Sequence, residues 1–199
     1  MKMYRQWALA TALALPLMAS AAESAATSEG VELTGLIDKV AKRTGKQFIV
    51  DPRVRAQVPN AGLDLDKVDY AKLLAIFTVY NFSAYESNGV VKVVPDANAR
   101  QLPIPVTTDV PAKALDDEYV TVMFQAKNMC ASQAVPVLRP LMPQAAHLAG
   151  FPQANMLLIS DRAANARRII EMAERLDKAA PAGQKCTAES WTPPKAESK

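Results

Sequence analysis

Pro95, Pro103, Pro105 and Pro111 crowd the middle of the chain, in a stretch up to Asp117 with few large apolar residues and no helical periodicity. A proline lacks the backbone N–H and holds φ near about −65°, so neither a regular helix nor a central strand runs through such a segment. Residues 96–117 therefore read as an extended linker. Helix and strand patterns resume on both sides, so the 199 residues divide into two small units, 31–95 and 118–178, instead of wrapping one core. The stretches 23–30 and 179–199 are small, polar and poor in apolar residues, and both are expected to be disordered.

The start of the chain follows another pattern. Lys2 and Arg5 precede an apolar run from Trp7 to Met18, which gives way to Ala19, Ser20, Ala21 and Ala22 before Glu23. That is the layout of a cleavable secretory signal over residues 1–22, with cleavage around Ala21, Ala22 and Glu23. The run is well short of the roughly 20 residues that span a bilayer, and no cysteine stands near the cleavage region to carry a lipid. Losing Lys2 and Arg5 leaves 21 of the 23 basic residues against 20 acidic ones. The alkaline character is thus a property of the leader, and the expected compartment is outside the cytoplasm.

In the first unit Leu33, Leu36, Ile37 and Val40 recur at i, i+3, i+4 and i+7, with Lys42 and Arg43 in the last turn and Gly45 at the reversal. Gln47 to Asp51 reads as a strand, and Leu63 and Leu65 alternate with Asp64 and Asp66 as a second. Asp69 suits the N-cap of a helix with the stripe Tyr70, Leu73, Leu74, Phe77 and Tyr80, and Asn81 suits its left-handed end. Asn88-Gly89 between Phe82–Tyr85 and Val90–Val94 predicts a tight hairpin.

In the second unit Tyr119, Val120, Val122 and Phe124 mark a strand, and Asn128 stands where a helix cap is wanted before Val135, Leu138, Leu141 and Met142. Pro136 and Pro140 limit that helix to a few turns. Asn155 to Ser160 reads as a buried strand leading to Asp161 as N-cap of a last helix. That helix buries Ala166, Ile169, Ile170, Ala173 and Leu176, and its outer face carries Arg162, Arg167, Arg168 and Arg175 among Glu171 and Glu174. The fold class is α+β, with two small α/β-sandwich domains.

The stretches LIDKVAKRTGKQFIVDPRV (36–54) and VDYAKLLAIFTVYNFSAYESNGVVKVVPDANAR (68–100) resemble the first periplasmic domain of secretins, a short domain shared with signalling TonB-dependent receptors. EYVTVMFQAKNMCASQAVPVLRPLMP (118–143) and NMLLISDRAANARRIIEMAERLDK (155–178) resemble the next secretin domain, a small KH-like βαββα unit. The type II secretion secretins are the nearest group. The resemblance implies a periplasmic protein-binding module whose partners are a secretin ring, an inner-membrane secretion component or an exported protein. It implies outer-membrane association only through a partner, and leaves room for a homo-oligomer. No alternating strands follow the second domain, so no pore is expected from this chain. The family's first strand would fall in 22–30, where no strand pattern stands. A signalling adaptor of the receptor type, or a regulator mimicking secretin domains, is the alternative.

No enzyme chemistry is expected, and neither a cofactor nor a metal. The single histidine, His147, lies in a stretch of small residues and reads as a solvated loop residue. Cys130, His147 and Cys186 have no metal-site spacing, and Asp64, Asp66 and Asp69 miss the calcium-loop pattern at Val68 and Asp69. Asp116, Asp117 and Glu118 read as a solvated linker end. The KH-like unit has no GXXG loop, which with the near-neutral charge argues against nucleic acid. Cys130 and Cys186, in an oxidising compartment, would pin the tail to the second domain if paired. A buried Cys130 with an unpaired tail thiol is the other reading, and pairing is preferred. Trp191, flanked by Thr192, Pro193 and Pro194, either packs near that staple or serves as a short docking motif.

Overall fold

In a computed structural model of the chain, residues 30–182 and Cys186 are described. The leader, with Ala21, Ala22 and Glu23, lies outside the described residues, as do 183–185 and 187–199.

Helix α1 (Leu33–Thr44) buries its whole predicted stripe, Leu33, Leu36, Ile37 and Val40. It ends at Gly45, whose φ of 71° lets its N–H return to Ala41 O. Helix α2 (Tyr70–Val79) starts at Asp69, which accepts from Lys72 N at 2.8 Å, and Asn81 takes φ 59° just beyond it. Strands β2 (Gln47–Val50), β4 (Phe82–Ser87) and β5 (Val90–Pro95) form a sheet in the order β2-β5-β4, with β2 parallel and β4 antiparallel to β5. Asn88 and Gly89 make the hairpin turn at φ 55° and 75°, the double positive φ that a two-residue turn needs. Leu33, Leu36, Leu73, Phe77, Val91 and Val93 fill the core between this sheet and the helices.

Two expectations change here. The alternation at 63–66 makes no strand: Leu65–Lys67 is a 3-10 turn, and Asp64 Oδ1 accepts from Asp66 N at 3.2 Å. A short apolar alternation does not fix the period, and an aspartate that bonds its own backbone two residues on favours a turn. The second strand is instead β3 (Gln57–Val58), paired antiparallel with β1 (Val31–Glu32). The opening strand, expected in 22–30 by the resemblance, is β1 at Val31–Glu32 among the described residues.

The second unit runs β7 (Tyr119–Gln125), α3 (Ala131–Leu138), β8 (His147–Phe151), β9 (Met156–Arg162) and α4 (Ala163–Ala179). Its sheet has the order β6-β7-β9-β8, because β6 (Val106–Thr107) adds a parallel strand on β7. Residues 96–117 are therefore more than an extended connection. They hold a 3-10 helix, Asp96–Gln101, and β6, while Leu115 packs on the first core and Val110 and Ala114 on the second. Proline spacing does exclude long elements, but it leaves room for these short ones.

Neither predicted cap of the second unit stands. Cys130 occupies the N-cap of α3 and makes no side-chain cap bond. β9 extends through the fully buried Asp161, which leaves Arg162 at the N-cap of α4. Asn128 donates instead from Nδ2 to Asp177 O at 3.0 Å. Asp177, in the last turn of α4, takes backbone N–H bonds from Lys127, Asn128 and Met129 at 3.0, 2.8 and 2.9 Å. Burial alone would raise its pKa. The three N–H groups outweigh burial and hold the carboxyl below its ordinary value.

Because the folded pKa is lowered, the Asp177 contribution is present above the unfolded carboxyl value and is lost as pH falls through the folded one. Asp177→Asn is expected to lower stability by about 2 kcal/mol at neutral pH, measured by urea unfolding. The variant should also lose less stability than wild type on acidification below about pH 4. An equal acid loss in both proteins would count against this anchor.

Candidate functional site

Where the two domains meet, β9 ends in Arg162, and its guanidinium reaches out of its own domain. Nη2 lies 2.8 Å from Asp96 Oδ2, and the two side chains are only 11% and 10% exposed. Nη2 also approaches Phe82 O at 3.3 Å, and Nε donates to Thr78 Oγ1 at 2.8 Å. Thr78 Oγ1 in turn donates to Asp117 Oδ1 at 2.7 Å, and Ser83 Oγ donates to Asp96. With both side chains largely buried, solvent screens the pair weakly, and it sets the angle between α2, the 3-10 helix at Asp96 and β9. A cleft of about 720 Å3 opens beside it, reaching Arg100, Gln144, Asn165 and Arg168.

Asp161 lies next to this joint. Burial raises its pKa against the opposing effects of its bonds from Asn165 Nδ2 and Arg162 N. Tyr119, also raised by burial, bonds Ala145 O or Ser160 O at 3.0 and 3.2 Å. Their bonds run to the backbone and to Asn165.

The surfaces left for a partner follow from the layering. Both helices of the second unit cover one face of its sheet. On the other, the register lines up Met123, Leu158 and Ala149 in one row and Gln125, Met156 and Phe151 in the next. Phe151 is 55% exposed there, and Val106 is 56% exposed on β6. In the first unit β2 is a free edge with Ile49 58% exposed. An uncovered strand edge next to apolar side chains suits strand-addition recognition, in which backbone bonds give affinity and side chains give selectivity.

The other singled-out residues fall as follows. His147 stands in β8 opposite Ser160, half-buried on the uncovered sheet face and not in a loop. Asp64 pairs with Lys67 at 2.9 Å and Asp66 with Lys39 at 2.6 Å, so those carboxylates do not converge. Among the described residues no cluster of three or more metal-ligating side chains occurs. Of the four arginines, Arg175 alone makes the expected surface pair, with Glu171 at 2.5 Å. Arg167 goes to Asp116 and Ala114 O, and Arg168 to Leu141 O. Asp117 thus takes part in the joint through Thr78, while Asp116 stays exposed at the linker end and pairs with Arg167 on α4. Cys130 and Cys186 are joined as a disulfide, with Cα atoms 5.2 Å apart.

Comparison with known proteins agrees with this architecture. Residues 28–93 match the family described as the GspD-like N0 domain, and 121–182 the bacterial type II/III secretion system short domain. Secretin XcpQ of Pseudomonas aeruginosa is 34% identical over 150 residues, which is 74% of this chain and 22% of that protein. Secretin GspD of Vibrio cholerae is 33% identical over 178 residues, 87% of this chain and 26% of that protein. The Klebsiella pneumoniae type II secretion system outer membrane complex of PulD, PulS and the PulC HR domain aligns with a TM-score of 0.64. The identity is 31%, over 77% of this chain and 27% of that one.

The chain is built from the N-terminal domains of secretins, in the order N0 then short domain. It spans about a quarter of the length of the curated relatives it matches. These domain families are structural and protein-binding modules. No helix among the described residues is long and apolar enough to cross a membrane.

Arg162→Ala leaves a buried Asp96 with Ser83 as its remaining side-chain partner and is expected to cost about 3 kcal/mol. A double-mutant cycle with Asp96→Asn should show a coupling of about 2 kcal/mol. Additive single losses in urea unfolding would mean that the pair does not hold the joint.

Proposed function

We propose that this chain is a periplasmic protein-binding module of a type II secretion machinery, with no catalytic role. It docks on a secretin ring, on an exported protein or on a component carrying a domain like the PulC HR domain. The observation that carries this reading is the joint. Two secretin-type domains, in secretin order, are clamped by Arg162 into one body that offers free sheet edges and an uncovered sheet face. The second domain also favours secretion over a signalling adaptor, since receptor-type signalling proteins resemble the first unit alone. A leader like residues 1–22 accounts for export, and association with the outer membrane follows through the partner.

Crosslinking in intact cell envelopes, followed by purification of this chain, should recover a secretin or another secretion component. Recovery of neither, with the protein folded and abundant, would defeat the assembly reading. With a purified HR-type domain, Ile49→Asp should weaken binding about tenfold or more while changing stability by less than about 0.5 kcal/mol, as for an exposed position. Unchanged binding would move the contact away from the β2 edge.

A further inference from the structure

The cleft of about 720 Å3 beside the Arg162–Asp96 pair draws its walls from both domains. Asn81 and Arg100 come from the first, and Leu141, Gln144, Asn165 and Arg168 from the second. Its polar side chains are largely unengaged. Among the described residues Asn81, Arg100 and Gln144 make no side-chain hydrogen bond, and Arg100, Arg139 and Arg168 belong to no ion pair. We propose that this cleft is a recognition site for an acidic peptide segment of a protein partner, with a carboxylate held between Arg100 and Arg168.

Charge balance and preorganisation both favour this occupant. The ionisable lining residues are Asp96, Arg100, Asp161, Arg162 and Arg168. Asp96 and Arg162 neutralise each other. Asp161 is fully buried, with its two oxygens taken by Arg162 N and Asn165 Nδ2. The exposed charges that remain, Arg100 and Arg168, are both positive. Arg168 is already fixed, since Nη2 donates to Leu141 O at 2.6 Å. Arg139 donates to Pro143 O at 3.1 Å and adds a positive charge at the same wall. A guanidinium held by a carbonyl loses little further freedom on taking a carboxylate through a two-pronged bond. A bare anion would engage the arginines alone. The amides of Asn81 and Gln144 can both donate and accept, which matches peptide backbone, and Leu141, 41% exposed, offers apolar area to a neighbouring side chain. The volume also falls within the roughly 300–1,000 Å3 of ligand-binding clefts. Because Arg100 and Arg168 belong to different domains, the Arg162–Asp96 pair sets their separation.

The inference rests on the protein-binding role proposed above, but its test needs neither a secretin nor an HR-type domain. By fluorescence anisotropy, a labelled heptapeptide of alternating Glu and Leu should bind the purified full chain about tenfold more tightly than its Gln counterpart, and less tightly as salt rises. Arg100→Gln and Arg168→Gln should each weaken that binding about tenfold, with urea unfolding confirming folded protein. Arg175→Gln, at an exposed arginine outside the cleft, should leave it at the wild-type value. The proposal is overturned by equal binding of the two peptides, or by no binding at millimolar peptide. Binding that survives both cleft substitutions, or that falls as much with Arg175→Gln, overturns it as well. Displacement of the Glu peptide by equimolar inorganic phosphate would assign the arginines to a simple anion, and binding of phosphatidylglycerol vesicles in place of the peptide would assign them to a membrane. Either result overturns it equally. Peptide binding in a protein that captures no secretion component from envelopes would defeat the assembly reading alone and support the cleft.

Discussion

The arrangement of this molecule depends on the ion pair between Arg162 and Asp96. Removing two charges from water costs several kcal/mol for each ion, and the attraction recovers that only where the remaining hydrogen bonds are made. Here they are made. Asp96 also receives Ser83 Oγ, Arg162 also reaches Thr78 and Phe82 O, and among the described residues no buried side-chain polar atom lacks a partner. Such a network adds little net stability over an apolar contact, but it tolerates one geometry. The orientation of two small domains, each with a separate core, is thereby fixed by polar groups and not by a shared apolar interface.

Features set by neighbours in the chain are legible in the sequence. The stripe of α1, the Asp69 cap, the Asn88-Gly89 hairpin and the α-L positions of Gly45 and Asn81 each follow from spacing or backbone conformation over a few residues. Features set by distant partners are not. Arg162 meets Asp96 across 66 positions, and Asp177 meets Lys127 across 50. Both leave a faint trace: Asp177 follows Ala173 by four and so stands on the apolar stripe of its helix, and Arg162 directly follows a buried strand. A charge in such a place asks for a specific partner, but the sequence does not name it. The uncovered sheet face is illegible for another reason, since Met123 and Leu158 look like core residues until the register shows that both helices lie on the opposite side.

The end of α4 and the start of α3 are fastened twice within four consecutive residues. Backbone groups of Lys127, Asn128 and Met129 hold the Asp177 carboxylate, and the next residue, Cys130, holds Cys186. The crosslink closes a loop of 56 positions, which in the chain-entropy treatment restricts the unfolded state by roughly 4 kcal/mol. The two fasteners respond to different conditions, one to acid and the other to reduction. Losing either leaves the other in place.

Arg162 is also the last residue of β9, the strand that pairs on both sides, over seven residues with β7 and five with β8. A pull on the first domain that passes through the guanidinium loads this central strand along its own axis. Its ladder bonds to both neighbours then bear the load together instead of parting one at a time, as they would in peeling from an edge. The joint is therefore placed where the second domain meets mechanical tension with two ladders at once.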